Sequence, residues 1–175
     1  MTAADSPLRQ VSQSAMKTIV FQSFRDDRSG AIGRCLASVE AWAARQGYAY
    51  RFLGDELFDR VPDWFRERVA GDRLPMSDLA RLVVARELLD EGWETVVWLD
   101  ADVLVFDPEN FRISLDDGYA FSREVWLRRG GADKLLATEG LHNAVCAFAR
   151  GNAFLEFYIH ACEAIVRGAE GPIRS

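Results

Sequence analysis

The sequence predicts an α/β domain with a mostly parallel central sheet flanked by helices. Three observations carry that reading. Thr95-Val96-Val97-Trp98-Leu99 is a continuous apolar run, rich in Val and Trp, suited to a strand covered on both faces. Thr18-Ile19-Val20-Phe21 and Tyr48-Ala49-Tyr50-Arg51-Phe52-Leu53 are strand-like and bracket a stretch with helical periodicity. That order is a parallel strand-helix-strand unit with a right-handed crossover. Finally, 175 residues with 49% apolar composition suit one domain with a sizeable core.

Residues 1–15 are polar and aperiodic, and read as a disordered lead-in to a single domain over 16–175. The first strand runs into a polar loop, Gln22 to Asp27, where a nucleotide could lie. Ser29 is a suitable cap for a helix to about Gln46, whose stripe is Ile32, Cys35, Leu36, Val39 and Trp42 or Ala43. Gly47 is its natural stop. Gly30 and Gly33 lack dinucleotide-loop spacing and read as loop and first-turn glycines.

After the second strand, Pro62-Asp63-Trp64-Phe65 opens a short helix. Pro75-Met76-Ser77 precedes a longer one, capped near Ser77 or Asp78 and ended by Gly92. Asp78 and Arg81, three apart, share a face of it. Val103–Phe106 is a further apolar piece broken by Asp107-Pro108. Tyr119-Ala120-Phe121 is a weak strand, residues 128–140 read as a mobile loop, and Asn143–Ala149 is the last strand. Gly151-Asn152 opens a final helix with Phe154, Leu155, Tyr158, Cys162 and Ile165 on one side.

The functional signal sits where the central run ends, at Asp100-Ala101-Asp102. Open α/β sheets bind ligands at the carboxyl ends of their strands. Two carboxylates there are costly unless a cation or hydrogen-bond donors offset them. Mg²⁺ and Mn²⁺ prefer carboxylate oxygen and share their shell with substrate phosphates. The pair therefore reads as a metal-phosphate site, or else as two solvated aspartates at a strand end.

With these pieces in place, the sequence resembles glycosyltransferases of the GT-A fold that use sugar nucleotides. It looks closest to the retaining galactosyl- and mannosyltransferase families with an Asp-x-Asp motif. The matching stretches are Ser77-Asp78-Leu79-Ala80-Arg81, Val97–Asp102, His142-Asn143-Ala144-Val145 and Gly151–Leu155, spread over residues 17–168. The resemblance implies a Rossmann-like nucleotide-diphospho-sugar transferase fold and a hexose moved from a UDP- or GDP-linked donor to a glycan, lipid or protein acceptor. It implies that Asp102 coordinates Mn²⁺ or Mg²⁺ on the donor diphosphate, while Asp100 contacts the ribose or the metal's water shell. Asp78 would hold sugar hydroxyls, Arg81 would orient the sugar or a phosphate, and Asn143 would lie beside the reacting sugar. Gln22 and Phe24 are weaker candidates for the nucleotide.

Such enzymes usually continue past the last helix into a segment that often supplies a His ligand. Here only His142 and His160 occur, and they read as a loop residue and a packed or surface residue. The expectation is a domain that is short at its carboxyl end, which leaves open a non-catalytic module that binds a sugar nucleotide or a partner. A phosphatase of the haloacid-dehalogenase type also places Asp-x-Asp after an apolar strand, with the first Asp as nucleophile. It expects the motif on the first strand and a later Lys, and the one Lys after the motif is Lys134.

A formal net charge of -6 argues against a general nucleic-acid surface. No charged-then-apolar leader or 18-residue apolar span occurs, so the expectation is a soluble, cytoplasmic type of protein. Cys35, Cys146 and Cys162 lack zinc-like spacing and read as small buried hydrophobes. Trp64, Trp93 and Trp126 could stack on a sugar, although packing is their default role.

Overall fold

The computed structural model describes residues 17–26, 28–131, 134–171 and 173. The expected lead-in over 1–15 lies outside the described residues. The first strand is β1, Thr18–Ser23, followed by helix α1, Gly30–Gln46, and strand β2, Ala49–Leu53. A 3-10 helix over Asp55–Arg60 and helix α2, Asp63–Arg68, lead to the long helix α3, Arg73–Asp90. Strand β3, Thr95–Leu99, strands β4, Tyr119–Arg129, and β5, Leu135–Ala149, and helix α4, Ala153–Gly168, complete the chain.

The five strands form one sheet in the order β2-β1-β3-β5-β4. β1 pairs in parallel with β2 and β3, whereas β5 pairs antiparallel with β3 and β4. The expected mostly parallel sheet is thus mixed, because the last two strands form a hairpin and β5 alone runs backwards. Hairpin closure needs only a short turn, whereas a parallel pair needs a long crossover.

Alternation along the strands divides the core into two layers. Ile19, Phe21, Val96, Trp98, Cys146 and Phe148 face α2, α3 and α4. Val20, Val97, Leu99 and Ala147 face Val39, Trp42 and Ala43 of α1. All of β3 is buried, as its unbroken apolar run requires. Gly47 ends α1 at φ 72°, a left-handed turn that spares the chain a Cβ clash. Gly33 is needed for another reason: a Cβ there would lie 1.6 Å from the Arg28 carbonyl oxygen.

Three expectations require correction. α3 starts at Arg73, and Asp72 caps it by accepting from the Leu74 N–H at 3.1 Å. Pro75 lies inside the first turn, where its missing N–H costs no helical bond. Asp78 is therefore not a cap. The expected loop over 128–140 is mostly strand, and Gly130 and Gly131 mark the turn of the β4–β5 hairpin. The apolar piece Val103–Phe106 lies outside the sheet, with Val105 buried and Phe106 88% exposed. On α4, Ile165 faces solvent, and Ile159 and Val166 join Leu155 in the core instead. The three cysteines are free, with Cys146 fully buried among apolar residues.

Candidate functional site

The sheet's order reverses between β1 and β3, since β1 leads outward to β2 and the chain returns to β3 on the other side. Ligands of open α/β sheets bind at the carboxyl ends of strands at such a switch. Both polar segments flagged in the sequence emerge there, Gln22 to Phe24 after β1 and Asp100 to Asp102 after β3.

Asp100-Ala101-Asp102-Val103 is a turn, closed by the Val103 N–H on the Asp100 carbonyl at 3.1 Å. Its backbone is held from two sides. The Asp100 N–H donates to the Ala144 carbonyl at 2.7 Å, and Gln22 Nε2 donates to the Asp100 carbonyl at 3.1 Å. Gln22 is fully buried, and its Oε1 accepts from the Tyr50 hydroxyl at 3.0 Å. Both ends of its amide are used, which places Gln22 beneath the turn as a support.

Arg81 is the hub of the site. Its side chain is 4% exposed. Nη2 donates to Asp78 Oδ1 at 2.6 Å, and Nη1 donates to Asp100 Oδ1 at 3.0 Å and to the Asn143 carbonyl at 3.1 Å. Nε donates to the Ser77 carbonyl at 3.2 Å, and the guanidinium lies 5.1 Å from the centroid of the Trp98 ring. Four of the five guanidinium N–H donors are thus engaged. Asn143 closes the ring by donating from Nδ2 to Asp78 Oδ1 at 2.9 Å. The structure therefore brings Asp78, Arg81, Asp100 and Asn143 into one bonded cluster drawn from α3, the β3 turn and β5.

Burial pushes the Asp100 carboxyl above the usual range, and neighbouring Asp102 adds to the rise. Arg81, the Trp98 indole N–H and His142 act against it. The Trp98 Nε1 donates to Asp100 Oδ1 at 2.7 Å. In the sequence Trp98 reads only as an apolar strand residue. Its spacing from Asp100, two positions on the same face of a strand, was the available signal. In the sequence Tyr158 likewise reads only as a stripe residue, yet it lines a cavity together with Asn143.

Asp102 is exposed at the far end of the turn. Among the described residues, no group of three or more His, Cys, Asp or Glu is placed to hold a metal. The donor set fits Mg²⁺ or Mn²⁺ in one way, as one or two carboxylates that share the ion with substrate phosphates. Both side-chain bonds to Asp100 fall on Oδ1. His142 folds back on its own strand, where Nδ1 accepts from the Ala144 N–H at 3.0 Å. His160 is exposed on α4.

Two cavities flank the cluster. One, of about 540 Å³, is lined by Ser23, Phe24, Arg25, Leu57, Arg73 and Ser77 among others. The other, of about 360 Å³, is lined by Phe121, Leu141, His142, Asn143, Phe154 and Tyr158. Phe24 thus lines a cleft, Asn143 borders the second cavity, and Asp78 and Arg81 stand in the first half of α3. Trp64 packs on Phe65 and under Arg167, and so serves the body of the protein.

No protein-family model matches the chain, and no curated protein matches it. Among solved structures it is similar to a glycosyltransferase involved in the glycosylation of the major capsid of PBCV-1. The TM-score is 0.52 with 13% identity, covering 85% of this chain and 67% of that one. At that identity the likeness is one of fold: the chain has a glycosyltransferase-like α/β fold. Among the described residues, no helix is long and apolar enough to cross a membrane.

Proposed function

We propose that the chain is a metal-dependent glycosyltransferase of the GT-A type. It moves a hexose from a UDP- or GDP-linked donor to a glycan, lipid or protein acceptor, with retention of configuration. The observation that carries this reading is the joining of Asp78, Arg81, Asp100 and Asn143 into one cluster at the carboxyl end of β3. The glycosyltransferase-like fold supports it.

In this reading Asp102 and Asp100 hold Mn²⁺ or Mg²⁺ together with the donor diphosphate. Such an ion would stabilise the negative charge left on the departing oxygen. Arg81 acts as a positioning residue, because four of its five N–H donors are already committed to the two aspartates and the backbone. It holds Asp78 and Asp100 at a fixed separation and offsets their mutual repulsion. Both bonds to Asp78 fall on Oδ1, so Oδ2 is the atom proposed to accept from a sugar hydroxyl. Asn143, fixed by its carbonyl and its amide, borders the cavity where the acceptor would approach. Phe24 lines the opposite cleft, on the side proposed for the nucleotide.

The test is release of nucleoside diphosphate from UDP- and GDP-hexoses with Mn²⁺ present. The proposal expects release from one donor, lost in Asp102→Ala with folding unchanged. Binding without release would assign the chain to a sugar-nucleotide-binding module. Hydrolysis of a simple aryl phosphate through Asp100 would assign it to the phosphatase class instead.

A further inference from the structure

The β4–β5 hairpin extends well beyond the sheet. β5 pairs with β3 only from Val145 to Ala149, so residues 123–129 and 135–141 pair with each other alone. The free arm spans six residue steps, a reach of about 20 Å. A two-stranded hairpin standing by itself is marginal in water, and this one exposes large apolar side chains. Val125 is 59% exposed, Trp126 55%, Leu127 65%, Leu135 68%, Leu136 57% and Leu141 72%.

The register shows how these are arranged. Leu127 pairs with Ala137 and Arg129 with Leu135 on one face, while Trp126 pairs with Thr138 and Arg128 with Leu136 on the other. Both faces of the outer arm therefore carry exposed apolar groups. A flat protein partner would cover one face and leave the other wet. A lipid interface surrounds an inserted tip and covers both.

Charge points the same way. From Trp126 to Leu136 the sequence carries Arg128, Arg129 and Lys134 against the single acid Asp133, in a chain whose net charge is -6. Trp beside Leu and clustered cations is the composition that settles at membrane interfaces and is drawn to anionic headgroups.

We propose that the arm docks the protein on an anionic phospholipid surface, with Trp126, Leu127, Leu135 and Leu136 entering the interface and Arg128, Arg129 and Lys134 meeting the headgroups. This rests on the arm alone and is independent of the transferase reading.

The experiment is co-sedimentation of the full chain with phosphatidylcholine vesicles, with and without about one third phosphatidylserine. Binding is expected to the anionic vesicles and to weaken as salt rises. Arg128→Gln with Arg129→Gln should weaken it about thirtyfold, the effect of two interfacial cations. Trp126→Ser with Leu136→Ser, and separately Leu127→Ser with Leu135→Ser, should each weaken it at least about tenfold. Circular dichroism should show unchanged folding for all three variants. No binding to either vesicle, equal binding to both, or sensitivity on one face only would overturn the proposal. A dimer that these variants dissolve, without vesicle binding, would assign the arm to a second copy of the chain and overturn it as well.

Discussion

The cluster around Arg81 and the β4–β5 arm put charged groups to opposite uses. In the cluster one cation is nearly sealed from water, and its donors are spent on Asp78, Asp100 and two carbonyls. Geometry there is fixed before any ligand arrives, the condition for positioning a reacting group. On the arm the cations stand in solvent beside exposed Trp and Leu, paired only across a two-stranded ladder. Charge in the cluster sets shape, and charge on the arm is available to a partner. The two regions should therefore answer mutation in opposite ways, one in stability and the other in binding.

The largest effect is expected from Arg81→Ala. It leaves two half-buried carboxylates facing each other without their cation, and should cost about 3 kcal/mol of stability in denaturant unfolding, the low end for breaking a buried pair. A loss below about 0.5 kcal/mol would erase the contrast with surface residues. Trp98→Phe keeps the ring but removes a donor from Asp100, and should cost about 1.5 kcal/mol by the same measurement. It should also move the Asp100 carboxyl further up, which carbon-detected titration would show.

Beneath the turn, burial pushes the Tyr50 hydroxyl up to about 12 from 10. Glu40 adds to the rise and Arg28 opposes it. The unfolded chain gives up this proton first as pH rises, so above pH 10 it binds fewer protons than the folded chain. Stability should then fall with rising pH through about 12, and Tyr50→Phe should flatten that part of the curve. The smallest effect belongs to the arm. Leu127→Ser with Leu135→Ser should leave unfolding within about 0.5 kcal/mol of the parent, since neither residue joins the core.

Much of this architecture was legible in the sequence because its first half follows simple periods. Alternation and helical spacing place β1, α1, β2 and β3 within a residue or two, and the unbroken run Thr95–Leu99 announces its burial. The hairpin is hidden in the sequence for a physical reason. Gly130 and Gly131 looked like a loop, but the period-two pattern on either side of them lacks a buried face, which is the usual mark of a strand. The start of α3 is hidden in the sequence because Pro75 reads as a helix boundary, although a first turn accepts proline. At the site, Asp100, Asp78, Arg81 and Asn143 were named from motif and resemblance, and the fold brings them together. The burial of Arg81 at the hub is not legible in a helix of mixed polarity. The support roles of Gln22 and Tyr50 arise from strands pairing across 28 residues, which no local pattern encodes.

We propose that the β3 turn, built on this cluster, receives a nucleotide diphosphate through a shared metal. The most direct test is calorimetric titration of UDP and GDP into the chain, with and without Mn²⁺, repeated on Asp102→Ala. Metal-dependent binding of one of the two nucleotides is expected, lost in the variant while its unfolding curve stays unchanged. Binding of neither by the folded chain, or binding indifferent to Mn²⁺ and to Asp102, would contradict it.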